Sequence, residues 1–373
     1  MLINVQMLRF VAAMLVVFYH TAARIPESSA LPYQLFGLVE TFGFAGVDIF
    51  FVISGYIMVY TTRGRAGPNQ GQQFMRRRFA RIYSGYWPFF FAAWLLFGFI
   101  RPEHLAESHL LKSFLLWPQS LNLVLLQLSW TLSFEMYFYL LFALLVSFTP
   151  TGVRTRILVS VTALLLAFNG YKHFVIAGFN PENFYNYPFY QRFLTSPYML
   201  EFLCGALLAQ WLEKNRLPMS RVWLLAGSLL FCAGGLINTV LYSGLSEQGY
   251  HVFPRVLVFG IPSVLLVAGL VAVESDGYMA NRRFSIQAGG ASYAIYLSHV
   301  LILGLAGYLG VGRWLAGFND IITLIGYTLL VSLIFVISLL YYLTIEKRLH
   351  KLFKQWLALS PTSAHKITLK PGV

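Results

Sequence analysis

The sequence predicts an all-α integral membrane protein, a bundle of about ten transmembrane helices with both termini on the cytoplasmic side. Three observations predict this fold class. Of the 373 residues, 58% are hydrophobic and only 11% are charged, whereas a soluble domain carries about 25% charged residues. Apolar segments long enough to cross a bilayer recur along the whole chain. The positive charges also concentrate in alternate connections between those segments.

The apolar segments define ten predicted spans, each able to cross about 30 Å of hydrocarbon as a helix. Their predicted bounds are Asn4–Ala23, Phe42–Thr62, Ser84–Ile100, Phe134–Thr149, Ile157–Tyr171, Pro197–Leu212, Val222–Tyr242, Val256–Val273, Ala291–Tyr308 and Ile321–Leu343. Because the spans recur without an appended soluble segment, they predict one transmembrane domain over residues 1–346. Residues 347–373 are expected to form a short basic cytoplasmic tail.

The distribution of Lys and Arg predicts the orientation of the bundle. With the N-terminus inside, the cytoplasmic segments carry about 20 of the 27 Lys and Arg residues, as the positive-inside rule requires. The net charge of +13 is therefore attributed to topology and to contact with membrane lipid, and no nucleic-acid partner is expected. Arg9 interrupts the first apolar segment, which favours a retained helix over a cleaved signal peptide.

Two ionisable residues lie in the first predicted span, Arg9 near its start and His20 near its end. Such residues are costly in hydrocarbon, so they are candidate functional positions. At ~1.5 Å of rise per residue, the helix between them is roughly 16 Å long. A long anionic ligand could therefore be bound at Arg9 and react near His20.

A basic segment, residues 76–81, precedes the third predicted span and is expected to form a loop at the cytoplasmic face. Arg78 and Arg81 are three positions apart, which places them on one side of a helical turn. Arginine binds phosphate through a planar fork of donors. The alternative interpretation is a patch that fixes the topology or contacts lipid head groups.

Two carboxylates are expected near the depth of His20. Asp48 lies near the outer end of the second predicted span, and Glu135 lies at the outer start of the fourth. A carboxylate can orient a histidine and raise its basicity, so these residues are candidates for a catalytic group with His20. The alternative is that they make structural hydrogen bonds that hold the bundle together.

Three further features each have a structural interpretation. His299, in the ninth predicted span, is either a second proton carrier or a packed histidine bonded to the backbone. Ser54 and Gly55 are expected mainly to let helices approach closely. The aromatic run Phe184–Tyr190 could stack against sugar rings or form an interfacial belt. The sequence has no metal-ligand spacing and no phosphate-binding loop, so no metal is expected.

The ordered set of motifs resembles the acyltransferase-3 family of membrane O-acyltransferases, which modify bacterial surface polysaccharides. The matching positions, in chain order, are Arg9 with His20, Gly46 to Gly55, Arg78 and Arg81 with Ile82 and Tyr83, Trp130 and Glu135 with Tyr137 and Tyr139, Ser292 to His299, and Glu346. Each motif alone is modest, but the ordered set covers the whole chain. The compact form is most similar to exopolysaccharide acetyltransferases of the succinoglycan and xanthan type.

Two positions depart from the family pattern. The family often has proline soon after the basic motif, whereas Ser84-Gly-Tyr-Trp precedes Pro88 in this chain. Proline is also common after the final glutamate, where this chain has Lys347 and Arg348. These departures concern local geometry more than the chemistry that the resemblance implies.

The resemblance implies transfer of an acyl group from cytoplasmic acyl-CoA, with acetyl-CoA the expected donor. The acceptor would be a hydroxyl of a polysaccharide or lipid-linked oligosaccharide at the outer side of the bacterial inner membrane. Roles are implied for ten residues: Arg9, Arg78 and Arg81 would bind the donor phosphates, His20 would be the general base with Asp48 or Glu135 orienting it, and Ser54, Trp130, Tyr137 and His299 would support the site. An acyl-histidine intermediate is the alternative to direct transfer.

Two alternative functions would depend on the same or neighbouring residues. A proton-coupled transporter would use the intramembrane histidine and carboxylates as a proton relay. Transporters often contain inverted repeats and broken helices in matching halves, and the sequence has no such pairing. A polysaccharide-binding or assembly protein without chemistry would depend on the outer aromatic residues and not on His20.

Overall fold

A computed structural model describes residues 2–176, 188–241 and 253–359. These ranges contain helices and connections but no β-strand. The α-helices are α1 (Ile3–Ala22), α2 (Ala30–Gly43), α3 (Gly46–Thr61), α4 (Pro68–Ile100), α5 (Pro102–Glu107), α6 (Leu110–Phe114), α7 (Trp130–Phe148), α8 (Thr151–Tyr171), α9 (Phe189–Leu194), α10 (Tyr198–Lys214), α11 (Ser220–Leu241), α12 (Phe253–Arg255), α13 (Ile261–Ser275), α14 (Arg282–Tyr308), α15 (Val311–Leu315), α16 (Asp320–Tyr341) and α17 (Lys347–Trp356). Wider π-helical turns at Lys172–Ile176, Val256–Gly260 and Tyr342–Glu346 continue three of the long helices.

Nine helical stretches of the described residues are long and apolar enough, by length and composition, to cross a membrane. The sixth predicted span coincides with α10, which has 17 residues and is not one of the nine. Each of the other nine predicted spans overlaps one of these stretches and extends at most two residues past its end. The last residue of the seventh predicted span, Tyr242, lies outside the described residues. The all-α, multi-pass membrane fold is thus confirmed, while the count of ten spans and the cytoplasmic position of both termini stay predictions.

Two regions differ from the sequence prediction. An additional helix, α2, begins before the second predicted span and includes its first two residues, and a short bend at Phe44 and Ala45 joins α2 to α3. The basic segment, residues 76–81, is helical and not a loop, because α4 begins at Pro68 and continues for 33 residues. Proline suits the first turn of a helix, and the Gln- and Arg-rich sequence after it consists largely of good helix formers.

The contact between α3 and α10 is one of the closest in the bundle. A Cβ added at Gly55 would overlap the carbonyl oxygen of Phe202, and one added at Gly205 would overlap that of Val52. Glycine on both helices therefore lets the two backbones approach directly, as small residues do in membrane helix pairs. The sequence-based expectation that Gly55 serves helix packing agrees with this contact.

The start of α1 is fixed by a carboxylate from α13. The backbone N–H groups of Ile3 and Asn4 donate to the two carboxylate oxygens of Glu274 at 2.8 and 2.7 Å. These donors have no partner within the helix, and a negative charge at this end also favours the helix dipole. The Asn4 side chain donates to the carbonyls of Leu270 and Tyr278. The register of α1, and hence the position of the ionisable residues on it, is set by these contacts.

The outer helices α8, α11 and α16 expose much of their apolar surface, whereas α3 and α14 are mostly buried. Exposed side chains such as Leu164, Leu229 and Leu329 belong to this outer layer. An apolar exterior is what a helix bundle presents to lipid. The polar residues of α1, α3, α7 and α14 therefore lie towards the interior of the bundle.

Candidate functional site

A cavity of about 240 Å³ opens among α1, α3, α4, α7 and α14, and we call it the donor cavity after the role proposed for it below. Its lining residues are Gln6, Arg9, Val47, Phe50, Phe51, Ile53, Ser54, Ile57, Arg78, Arg81, Ile82, Thr131, Leu132, Glu135, Tyr139, Ser292, Tyr293 and Tyr296. It brings together the three arginines that the sequence singled out. Five separate segments of the chain converge at this cavity, which the sequence order does not reveal.

Arg81 has a charged partner in the donor cavity. Its Nη1 donates to the Oε1 of Glu346 at 2.9 Å. The Glu346 side chain is buried at the π-helical turn before α17, and the guanidinium also lies 5.5 Å from the ring centre of Tyr293. The sequence identified Glu346 only as a position that matches a family motif. The structure shows that its charged partner is Arg81.

Arg9 and Arg78 have weaker partners. Arg9 donates to the Oε1 of Gln6 at 3.4 Å, and Arg78 donates to the hydroxyl of Thr61 at 3.3 Å. No carboxylate in the described part of the chain lies within 4.0 Å of either guanidinium. Each arginine has five N–H donors, so both keep donors for an anionic ligand.

Glu135 lies in the donor cavity with the arginines and not beside His20. Its Oε1 accepts from the Ser54 hydroxyl at 2.8 Å, and its Oε2 accepts from the Tyr139 hydroxyl at 3.3 Å. This corrects the expectation that Glu135 orients His20, because its partners are Ser54 and Tyr139. Ser54 was expected mainly to serve helix packing, and the structure shows that its hydroxyl donates to the Glu135 carboxylate.

His20 contacts another histidine. Its Nδ1 lies 2.9 Å from the carbonyl oxygen of Val16 and 3.4 Å from the Nε2 of His299. The Nδ1 of His299 lies 3.0 Å from the carbonyl oxygen of Ile295. A carbonyl only accepts, so in each neutral ring the Nδ1 carries the hydrogen and the Nε2 carries the lone pair. The Nε2 of His20 is therefore the basic atom of this pair.

The histidine pair lies next to the donor cavity without lining it. The Tyr296 ring forms part of the cavity wall, and its centre is 6.0 Å from the ring centre of His299. The ring centres of His299 and His20 are 5.1 Å apart. Tyr296 is held by a hydrogen bond from Thr131 at 3.2 Å. Through Tyr296 and His299, contacts between rings thus connect the wall of the donor cavity to His20.

Asp48 is engaged by a residue that sequence reasoning missed. Arg255 of α12 donates to the Asp48 carboxylate from Nη2 at 2.6 Å and from Nε at 3.1 Å, and both side chains are buried. The expectation that Asp48 orients His20 is therefore corrected, because Arg255 occupies its oxygens. The available signal was a lone arginine directly before an apolar span, in Phe253-Pro254-Arg255.

Trp130 and Tyr137, expected as supporting residues, lie outside the lining of the donor cavity. Trp130 packs against Tyr198 with ring centres 5.6 Å apart, and the Tyr137 hydroxyl donates to the carbonyl oxygen of Leu194 at 3.2 Å. They support the packing of α7 against α9 and α10. Most of the aromatic run Phe184–Tyr190 lies outside the described residues, which resume at Pro188.

Sequence comparisons indicate which known proteins this chain is similar to. A family model described as an acyltransferase domain matches residues 2–343. The chain is 32% identical over 289 residues to the exopolysaccharide production protein ExoZ of Rhizobium meliloti (strain 1021), covering 72% of this chain and 80% of that protein. It is 25% identical over 300 residues to the acyltransferase MdmB of Streptomyces mycarofaciens, covering 74% and 73% of the two chains. No solved structure matches. The chain therefore belongs to the acyltransferase-3 family of membrane acyltransferases.

Proposed function

We propose that this protein transfers an acetyl group from acetyl-CoA to a hydroxyl group of an exopolysaccharide sugar or of its lipid-linked precursor. The observation that carries the proposal is the arrangement along α1, where Arg9 lines a cavity rich in arginine and His20 lies beyond it with a basic Nε2. The similarity to a protein named for exopolysaccharide production supports a sugar acceptor.

The donor would enter from the cytoplasm. If the termini are cytoplasmic, as the charge distribution predicts, the arginine end of the donor cavity faces that side. Arg9, Arg78 and Arg81 would bind the phosphates of CoA through charge-assisted hydrogen bonds. Arg9 and Arg78 suit this role best because neither has an ion-pair partner among the described residues.

The lining of the donor cavity suits the pantetheine arm of CoA. Its lining combines apolar side chains such as Phe50 and Ile53 with the Glu135 carboxylate and the hydroxyl of Ser54. Glu135 would accept a hydrogen bond from an amide N–H of the arm. The helix between Arg9 and His20 is roughly 16 Å long, comparable to an extended arm, so the thioester would arrive near His20.

His20 would act as the general base. Its Nε2 would take the proton of the sugar hydroxyl while the hydroxyl oxygen attacks the thioester carbonyl carbon. The C–S bond then breaks, an ester forms, and the CoA thiolate takes the proton back from His20. The imidazolium that forms in between is stabilised at Nδ1 by the carbonyl of Val16 and the Nε2 of His299. Holding donor and acceptor together would supply much of the rate by positioning.

Family membership favours this chemistry over the transporter alternative. Proton transport would need His20 and the carboxylates to form one relay. In the structure Asp48 is paired with Arg255, and Glu135 is bound by Ser54 and Tyr139. We place the enzyme in the bacterial inner membrane, where a cytoplasmic donor and an outer acceptor can meet.

The proposal is tested by acetyl transfer in a purified system. The protein in lipid nanodiscs is supplied with acetyl-CoA labelled in the acetyl group and with cell-surface glycan from the source organism. The wild type is expected to label the glycan and release CoA, and His20→Ala is expected to do neither while still binding acetyl-CoA. Equal labelling by both proteins would exclude the role of His20. Binding of acetyl-CoA without transfer by the wild type would exclude the proposed reaction.

A further inference from the structure

A second cavity of about 480 Å³, which we call the outer cavity, lies at the opposite end of α1 from Arg9. The C-terminal ends of α1 and α14 form one wall, and α15 and α16 form the other. Its lining is mainly small or apolar and includes Gly307, Gly310 and Gly312. The two arginines Arg24 and Arg313 are the charged residues of this lining.

The histidine pair lies between the two cavities along both central helices. On α1, Arg9 lines the donor cavity, His20 follows, and Arg24 lines the outer cavity just past the helix end. On α14, Tyr296 lines the donor cavity, His299 follows one turn later, and Leu303 lines the outer cavity. A molecule in the outer cavity would therefore approach His20 from the side opposite the donor.

The positive charge of the outer cavity is not neutralised by the described residues. Arg24 is half-buried and donates to the carbonyl oxygen of Leu303 at 3.2 Å. Burial, together with the positive charge of Arg101, lowers the pKa of the Arg24 guanidinium. Arg313 lies over the backbone of Gly310. No ion pair within 4.0 Å involves any of these arginines in the part of the chain that the structure describes.

The position of Arg24 is also fixed from the other side of the outer cavity. The Tyr327 hydroxyl on α16 donates to the Arg24 carbonyl oxygen at 3.0 Å. Tyr327 is itself buried, so this contact ties the chain after α1 to α16. A guanidinium held in place, with donors left over and a repelling cation nearby, is suited to bind an anion.

We propose that the outer cavity binds the acceptor through an anionic group, which Arg24 and Arg313 recognise, beside the sugar hydroxyl that His20 deprotonates. This inference rests on the proposed function and adds a substrate class to it. The anionic group is a carboxylate of an acidic sugar or a phosphate of a lipid-linked carrier. In either case the enzyme would select charged acceptors over neutral ones.

The test measures anion binding directly, with saturating CoA present to fill the phosphate-binding arginines of the donor cavity, in nanodiscs of phosphatidylcholine that add no net lipid charge. Glucuronate probes the acidic sugar, inorganic pyrophosphate probes the lipid carrier, and glucose is the neutral comparison. At least one anion is expected to bind, with glucose much weaker. Arg24→Gln and Arg313→Gln should each weaken anion binding about tenfold. Arg283→Gln, an exposed arginine at the other end of α14, is the matched control and should leave binding unchanged.

Binding of acetyl-CoA by every variant shows that the proteins are folded and that the donor cavity is intact. Arg313→Gln alters an exposed side chain, so the test does not depend on Arg24→Gln folding. The proposal is overturned if wild-type protein that binds acetyl-CoA binds neither anion, or if both substitutions leave the anion affinity unchanged. A different result is expected if the proposed function is wrong: anions would bind at Arg24 and Arg313, but acetyl-CoA would not bind.

Discussion

The Nε2 of His299 lies 3.4 Å from the Nδ1 of His20, although the two residues are 279 positions apart in the chain. The contact joins α1 to α14 in the interior of the bundle, where both rings also bond to backbone carbonyls of their own helices. These bonds fix which nitrogen of each ring carries hydrogen. If His20 is the general base, as proposed, His299 is the side chain placed to position it, a role that the sequence-based expectation assigned to carboxylates.

Replacing His20 is expected to remove acyl transfer without removing donor binding. General-base catalysis contributes about 10²- to 10⁴-fold to a rate, so His20→Ala should lower kcat by a factor in this range. The measurement is release of CoA from acetyl-CoA in the presence of glycan. His109→Ala, at an exposed histidine outside the site, should retain full activity. A His20→Ala enzyme with wild-type kcat would contradict the assignment.

Replacing His299 tests positioning of the base. In His299→Phe, the Nδ1–H of His20 loses its acceptor across the helix contact, and we expect kcat to fall about 10²-fold because the base is misplaced. In His299→Gln, the amide oxygen can accept the same hydrogen bond, so much of the rate should return. The KM for acetyl-CoA should stay constant in both. Equal losses in the two variants would indicate a role in packing alone.

Replacing arginines of the donor cavity is expected to weaken donor binding. A hydrogen bond to a charged group contributes about 1.5–3 kcal/mol, so Arg78→Gln should raise the KM for acetyl-CoA roughly tenfold to a hundredfold. Arg76→Gln is the matched control, since Arg76 is on the same helix but outside the cavity. The difference between the two variants should shrink at high salt. Equal KM values for the two variants would exclude a phosphate role for Arg78.

The buried pair between Asp48 and Arg255 is expected to stabilise the bundle. Asp48→Asn would leave the Arg255 charge without its partner, and breaking a buried pair in this way costs about 3–5 kcal/mol. Chemical unfolding in detergent measures the change. Glu213→Gln breaks the pair of Glu213 with Arg63, where the carboxylate is 45% exposed, and should cost under about 1 kcal/mol. A smaller loss for Asp48→Asn than for Glu213→Gln would contradict this assignment.

The neighbouring carboxylate of Glu201 is part of the same buried region. Glu201 is only 1% exposed and lies beside Asp48 and Arg255. Its Oε1 would lie 2.9 Å from a Cβ added at Gly260. Sequence reasoning missed Glu201, because a single glutamate near the start of a predicted span gives no hint of burial beside Asp48 and Arg255.

The sequence by itself determined the class of fold, because every apolar segment long enough for a bilayer must satisfy its backbone within a helix. It also identified Arg9, Arg78 and Arg81 as a candidate anion-binding set, since charge in a membrane span demands an explanation. The donor cavity confirms that these three arginines converge. The prediction of a loop at residues 76–81 was the main local error, because composition alone does not distinguish a loop from part of a long helix.

Only the tertiary structure decided which partner each polar residue has. Depth along a helix follows from counting residues, but the direction of a side chain depends on the rotation and crossing of packed helices. Thus His20 and Asp48 were equivalent by depth, yet one contacts His299 and the other contacts Arg255. Glu135 lies with the arginines for the same reason. Counting residues along a helix estimates the depth of each polar group in the membrane, and helix packing determines which side chains that group contacts.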